Sequence, residues 1–143
     1  MSETLHGACL CGQVTFDVHE PGAMGFCHCT RCQRWSGGPG LAEVQVDEAN
    51  FEVKSGNELI GKYTEEGFSG FAFCSNCGSS LYAFGDGRVY VAAGALKDLA
   101  FEPTYHMMVA YKAPWDVITG DAPQHLEFPP LPDDPAARRD ARS

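Results

Sequence analysis

The sequence predicts a mainly β protein with little helix, its strands arranged antiparallel as a sandwich or tent. Short segments in which apolar and polar residues alternate with period two recur along most of the chain. Turn signals rich in Gly, Asn, Ser and Asp separate them, and helical periodicity is confined to one brief stretch.

In chain order, the first such segment is Gln13–Val18, whose Val14, Phe16 and Val18 share one face when extended. Gly40–Val46 and Phe51–Lys54 repeat the alternation, followed by Glu58–Tyr63, Ser69–Cys74, Ser79–Phe84, Arg88–Ala92 and Thr104–Ala110. Ser55-Gly56-Asn57, Glu66-Gly67 and Gly85-Asp86-Gly87 supply turns between them. A short helical turn is expected over Thr30–Trp35, stopped by Gly37-Gly38-Pro39, and another over Ala95–Leu99. With 143 residues, 44% of them apolar, the chain supports one domain with its own core. That domain is expected over residues 1–128. In the remainder, 129–143, Pro, Asp, Arg and Ala dominate and Leu131 is the one large apolar residue, so a mobile tail is expected.

Nineteen acidic residues against ten basic ones give a formal charge of −9. A surface of that sign repels phosphate backbones, so nucleic acid is not an expected partner. The opening residues Met1-Ser2-Glu3-Thr4-Leu5-His6-Gly7 have no leader character, and no apolar run is long enough to span a bilayer. The expectation is a soluble, cytoplasmic protein without a membrane partner. In a reducing compartment disulfides are disfavoured, and an odd number of cysteines leaves one unpaired in any case.

All seven cysteines fall into tight groups: Cys9 with Cys11, Cys27 with Cys29 and Cys32, and Cys74 with Cys77. Cys9-Leu10-Cys11-Gly12 and Cys74-Ser75-Asn76-Cys77-Gly78 are chelating loops, each followed by a glycine that permits a sharp backbone turn. Four thiolates make a closed tetrahedral zinc site, or hold an iron–sulfur cluster. A metal joining the two loops closes a long segment and stabilises the fold by cross-linking distant strands. Cys27, Cys29 and Cys32 are close enough in sequence to converge on a second ion, whose fourth position falls to a His, a carboxylate, water or a substrate thiol. His106 and His125 are candidates for it, whereas His28, between two cysteines of an extended segment, is expected to face the other way. An unsaturated zinc favours a bound thiolate and polarises a carbonyl oxygen, both of which suit addition of a thiol to an aldehyde. Arg31 and Arg34, beside Cys32, are candidate contacts for substrate carboxylates or, equally, a solvated pair.

Gly7-Ala8-Cys9-Leu10-Cys11-Gly12-Gln13-Val14, Cys27-His28-Cys29-Thr30-Arg31-Cys32 and Phe73-Cys74-Ser75-Asn76-Cys77-Gly78-Ser79-Ser80-Leu81 closely resemble the glutathione-dependent formaldehyde-activating enzyme family. Centromere protein V belongs to the same superfamily. The likeness runs from about residue 5 to about residue 128 and includes Ala113-Pro114-Trp115 and Pro123. It implies an Mss4-like β-tent with zinc-binding loops. It further implies two zinc ions per chain, a structural one on Cys9, Cys11, Cys74 and Cys77 and a catalytic one on Cys27, Cys29 and Cys32. The implied activity is that of a carbon–sulfur lyase or synthase joining formaldehyde and glutathione as S-hydroxymethylglutathione. Two other readings stand beside it: a carbon–sulfur lyase acting on a different thiol, and a zinc-stabilised binding module without chemistry.

Overall fold

The structure is a computed structural model that describes residues 3–64, 70–97 and 99–129. The chain forms two compact units. One is built from the chain up to Gly22 together with Val44–Ala100, and the other from Ala23–Glu43 together with the chain from Phe101 onward.

In the first unit, β1 (Thr4–Ala8), β2 (Thr15–His19) and β5 (Phe51–Ser55) form an antiparallel sheet with β2 in the middle. The register sets Leu5 opposite Val18 and Gly7 opposite Phe16. Strand alternation therefore buries Leu5, Phe16 and Val18 on one face, as expected for Phe16 and Val18. Each such side chain contributes about 1.5–3 kcal/mol on burial. The Phe16 ring lies 2.4 Å from where a Cβ on Gly7 would stand, so only glycine fits opposite it. On the other face His6 Nδ1 meets Asp17 Oδ1 at 2.6 Å and His19 Nε2 meets Glu52 Oε1 at 3.1 Å. The same unit holds an antiparallel meander of β6 (Ile60–Tyr63), β7 (Gly70–Cys74), β8 (Ser80–Gly85) and β9 (Arg88–Ala92). Leu81 and Val91 are fully buried in it. The residues of β4 (Leu41–Asp47) are divided in sequence, the first belonging to the second unit and the last to the first.

In the second unit, β3 (Met24–Cys27) pairs with β10 (His106–Met107) in parallel, with His106 opposite Phe26 and Met107 opposite Cys27. The expectation of antiparallel sheets is thus corrected at this pair. The expected strand Thr104–Ala110 shortens to β10 because Met108 turns left-handed, with φ of 58°, and a 3-10 turn over Val109–Tyr111 follows. The residues around 123–127 run alongside, accepting from the His106 amide at Pro123 O (2.8 Å) and donating from the His125 amide to His106 O (2.8 Å). Helix α1 (Thr30–Ser36) matches the expected helical turn and ends at Gly37, whose φ of 75° provides a left-handed cap. The expected turn over Ala95–Leu99 is a 3-10 turn at Ala93–Ala95 instead. Neither β1 nor β3 was foreseen from the alternation. The expected tail 129–143 lies outside the described residues except for Pro129, which is buried, and so does the expected Glu66-Gly67 turn. No helix among the described residues is long and apolar enough to cross a membrane.

Candidate metal centres

The two chelating loops of the first unit are built alike. The Cys9 amide donates to Val14 O and the Cys74 amide to Ser79 O, both at 3.0 Å, and each loop is tightened by a glycine amide donating back to its first cysteine. Those glycines, Gly12 and Gly78, share a φ of +79° with open space where a Cβ would stand. The demand for glycine here is therefore conformational rather than steric. Ser79 clasps the loops together: its hydroxyl accepts from the Leu10 amide at 2.8 Å, leaving its own hydrogen for the Cys77 sulfur at 3.2 Å.

This folding brings Cys9, Cys11, Cys74 and Cys77 together, with all four sulfurs within 4.8 Å of one another. Cys9 to Cys11 is 3.5 Å and Cys11 to Cys74 is 3.9 Å. A tetrahedron with Zn–S bonds of about 2.3 Å has sulfur–sulfur edges of about 3.8 Å, so the donor set fits such an ion in both chemistry and size. Hydrogen bonds prepare the sulfurs for it. The Val14 amide donates to Cys9 Sγ at 3.3 Å. The hydroxyl and amide of Ser79 draw the Cys77 thiol from its ordinary 9.0 down to about 5, and the Asn76 side chain and Gln13 amide lower Cys11.

The second unit gathers Cys27, Cys29 and Cys32, again with sulfurs within 4.8 Å of one another. Cys27 ends β3, Cys29 caps α1, and Cys32 lies in the first turn of that helix, its amide donating to Cys29 Sγ at 3.3 Å. A strand running directly into a helix thus folds three thiols from six positions onto one spot. Gly40 passes so close that a Cβ there would stand 2.1 Å from the Cys27 carbonyl oxygen. The Cys27 and Cys32 thiols and the amides of Cys32 and Arg31 pull Cys29 well below the ordinary thiol range. The cost falls on its neighbours. Cys27 is pushed up by the Cys29 sulfur, burial and the Glu43 carboxylate, and Cys32 by Cys27, Cys29 and burial. The three thiols oppose one another's ionisation, so a cation among them favours their joint deprotonation.

No histidine or carboxylate among the described residues joins the three sulfurs. His28 turns away from its cysteine neighbours, as alternation expects, and its Nε2 meets His106 Nδ1 at 2.9 Å. His106 is thereby committed elsewhere. Burial lowers the pKa of both rings, with His106 adding to the effect on His28. Arg31 is half-buried and Arg34 exposed, one helical turn apart on α1. Sequence reasoning missed Glu43, Gln33 and Asp116. Gln33 Nε2 ties α1 down by donating to His28 O (2.8 Å) and Tyr111 O (2.9 Å). Glu43 is 4% exposed, buried on the face of β4 opposite Val44 and Val46.

A mainly β architecture carrying a four-thiol and a three-thiol cluster defines a class of cysteine-clustered β proteins whose donors suit soft or borderline metals. Within that class, the family model described as glutathione-dependent formaldehyde-activating enzyme matches residues 4–111, and the chain belongs to this family. A relative in Halomonas elongata, whose name cites glutathione-dependent formaldehyde activation, is 34% identical over an alignment covering 96% of this chain and 95% of that one. A Schizosaccharomyces pombe protein named only as an uncharacterized lyase is 34% identical over 57% of this chain, spanning 59% of its own length. A crystal structure of a Rhodobacter sphaeroides protein superposes with a TM-score of 0.58 at 20% identity, covering 83% of this chain and 98% of that one, a likeness of fold.

Proposed function

We propose that the protein is a zinc-dependent carbon–sulfur lyase, or synthase, that joins a small thiol to an aldehyde, with glutathione and formaldehyde as substrates and S-hydroxymethylglutathione as product. The observation that carries this reading is the trio Cys27, Cys29 and Cys32, whose sulfurs converge without a further histidine or carboxylate among the described residues. The matched family and the lyase names of the relatives support the reaction class. Cys9, Cys11, Cys74 and Cys77 are assigned a structural zinc and the trio a catalytic one, two ions per chain within a functional domain of residues 1–128.

Zinc at the trio supplies a positive charge that favours the thiolate of an incoming thiol and polarises a carbonyl oxygen. The chain's own groups do the rest. Amides of Arg31 and Cys32 hold the Cys29 sulfur in place at the start of α1. Arg31 and Arg34 receive the carboxylates of the tripeptide, the contact that an otherwise acidic protein of net charge −9 needs. The thiol sulfur bonds to the aldehyde carbon, the C=O π pair moves to oxygen, and that oxygen takes up the proton the thiol released. In the lyase direction the same bonds break in reverse.

Exchange NMR on glutathione and formaldehyde, with metal-loaded protein, tests the reading. Exchange faster than the uncatalysed rate, lost in Cys29→Ala, is expected. An unaccelerated rate in protein holding two zinc ions rejects the activity and favours a binding module.

A further inference from the structure

The second unit contains a cleft of about 860 Å³ on the side of the chain to which His28, rather than its cysteine neighbours, points. At its base lie His28, 2% exposed, and His106, 9% exposed, with their rings hydrogen-bonded at 2.9 Å. Beside them is the Asp116 carboxylate, whose Oδ2 stands 3.8 Å from His28 Nδ1. That distance is too long for a direct hydrogen bond, and Nδ1 is buried without a partner among the described residues. A ring nitrogen so placed, lining a cleft of this size, is a binding group awaiting a donor or acceptor.

The lining sets which one. Glu102 and Asp121 join Asp116, and no lysine or arginine is among the described residues that line the cleft. The nearby Lys112 ammonium is turned to the main-chain oxygens of Ala113 and Asp116. Three carboxylates with no basic residue among the described lining disfavour an anion and favour a cation. Phe26, Pro103 and Ile118 give the walls an apolar character. When His28 donates through Nε2 to His106 Nδ1, its Nδ1 presents a lone pair beside the carboxylate, and one ammonium nitrogen can donate to both.

We propose that this cleft binds a primary organic ammonium, with the charged nitrogen at Asp116 and His28 Nδ1 and the apolar portion against Phe26, Pro103 and Ile118. The site is distinct from the cysteine trio, and its ligand class does not depend on the reaction proposed above.

Benzylamine serves as the probe, with benzyl alcohol and benzoate as uncharged and anionic counterparts, each titrated into the metal-loaded full chain by two-dimensional amide NMR at one ionic strength. Benzylamine is expected to shift the amides of Thr104, His106 and Thr119–Ala122 saturably, and the other two are not. Asp116→Asn should weaken benzylamine by at least about tenfold, the loss of a hydrogen bond to a charged group. Val117→Lys, at a residue 78% exposed where folding is safe, should weaken it through like charge at the mouth. Benzoate or benzyl alcohol binding as tightly as benzylamine overturns the proposal. So does the absence of saturable shifts, or parental affinity in a folded Asp116→Asn or in Val117→Lys.

Discussion

The two cysteine clusters solve the same problem, the crowding of thiols, by opposite means. Cys9 and Cys11 meet Cys74 and Cys77 from 63 positions away along the chain, through two loops of like construction. Cys27, Cys29 and Cys32 are neighbours in sequence, folded together by a strand that turns into a helix. A metal at the first ties together parts of the chain that loop entropy would otherwise separate, whereas a metal at the second closes almost no loop. The difference teaches that sulfur count and sequence span are separate variables: stability follows the span, and openness to a ligand follows the count.

The largest effect should come from breaking the long-range cluster. Cys74→Ala removes a fully buried sulfur from the end of β7, and cooperative thermal unfolding by circular dichroism should be lost, since structural zinc contributes on the order of 10 kcal/mol. A parental melting curve would show that the span does not matter. Next, Cys29→Ala should leave that curve within a few degrees of the parent while the bound zinc, measured by atomic emission, falls from two ions per chain to one and catalysed exchange disappears. If stability collapsed equally in both variants, the contrast between the clusters would be gone. Gly40→Ala places a methyl group against the Cys27 carbonyl and the Phe26 ring, and should cost about 1–3 kcal/mol in urea unfolding while weakening metal retention at the trio.

The smallest effect belongs to Ser79. The Cys77 thiol has its pKa depressed in the folded chain, so its ionised form favours the native cluster fully above the ordinary 9.0 and loses that contribution as pH falls through about 5. Ser79→Ala removes the hydroxyl and raises the Cys77 pKa. Acid release of metal, followed with a chromophoric chelator, should then begin at higher pH by less than about one unit, the size of one neutral hydrogen bond. A midpoint unmoved by the substitution would mean that the metal, not the hydroxyl, governs this thiolate.

Much of both clusters was legible in the sequence because cysteine spacing is a local signal and the glycines after the loops are required by a local backbone angle. The strands with clean alternation, β2 above all, were legible for the same reason. Strand β1 escaped because Thr4-Leu5-His6-Gly7-Ala8 carries one large apolar residue, and β3 because Met24-Gly25-Phe26-Cys27 does not alternate by type. Thr104–Ala110 read as a longer strand because an apolar run does not reveal that Met108 adopts a positive φ. Glu43 and Gln45 are buried along with Val44 and Val46, and period two cannot report that a strand is covered on both faces. The meeting of His28 with His106, 78 positions on, and with Asp116 depends on tertiary pairing that no local pattern encodes.

The interleaving of the two units along the chain has a consequence for biosynthesis. Each unit is assembled from segments on either side of the other's, so neither can be complete when the ribosome has released only a contiguous half. The trio of cysteines emerges early, before Tyr105 to Met107 exist to pair with β3, and the first cysteine loop waits until Cys77 has been made. During that interval Cys9 and Cys11 lack the two cysteines that complete their cluster, and the trio lacks the strand that pairs with β3. Metal supply, rather than folding speed alone, then sets how long those thiols remain open to oxidation or to capture by the wrong ion.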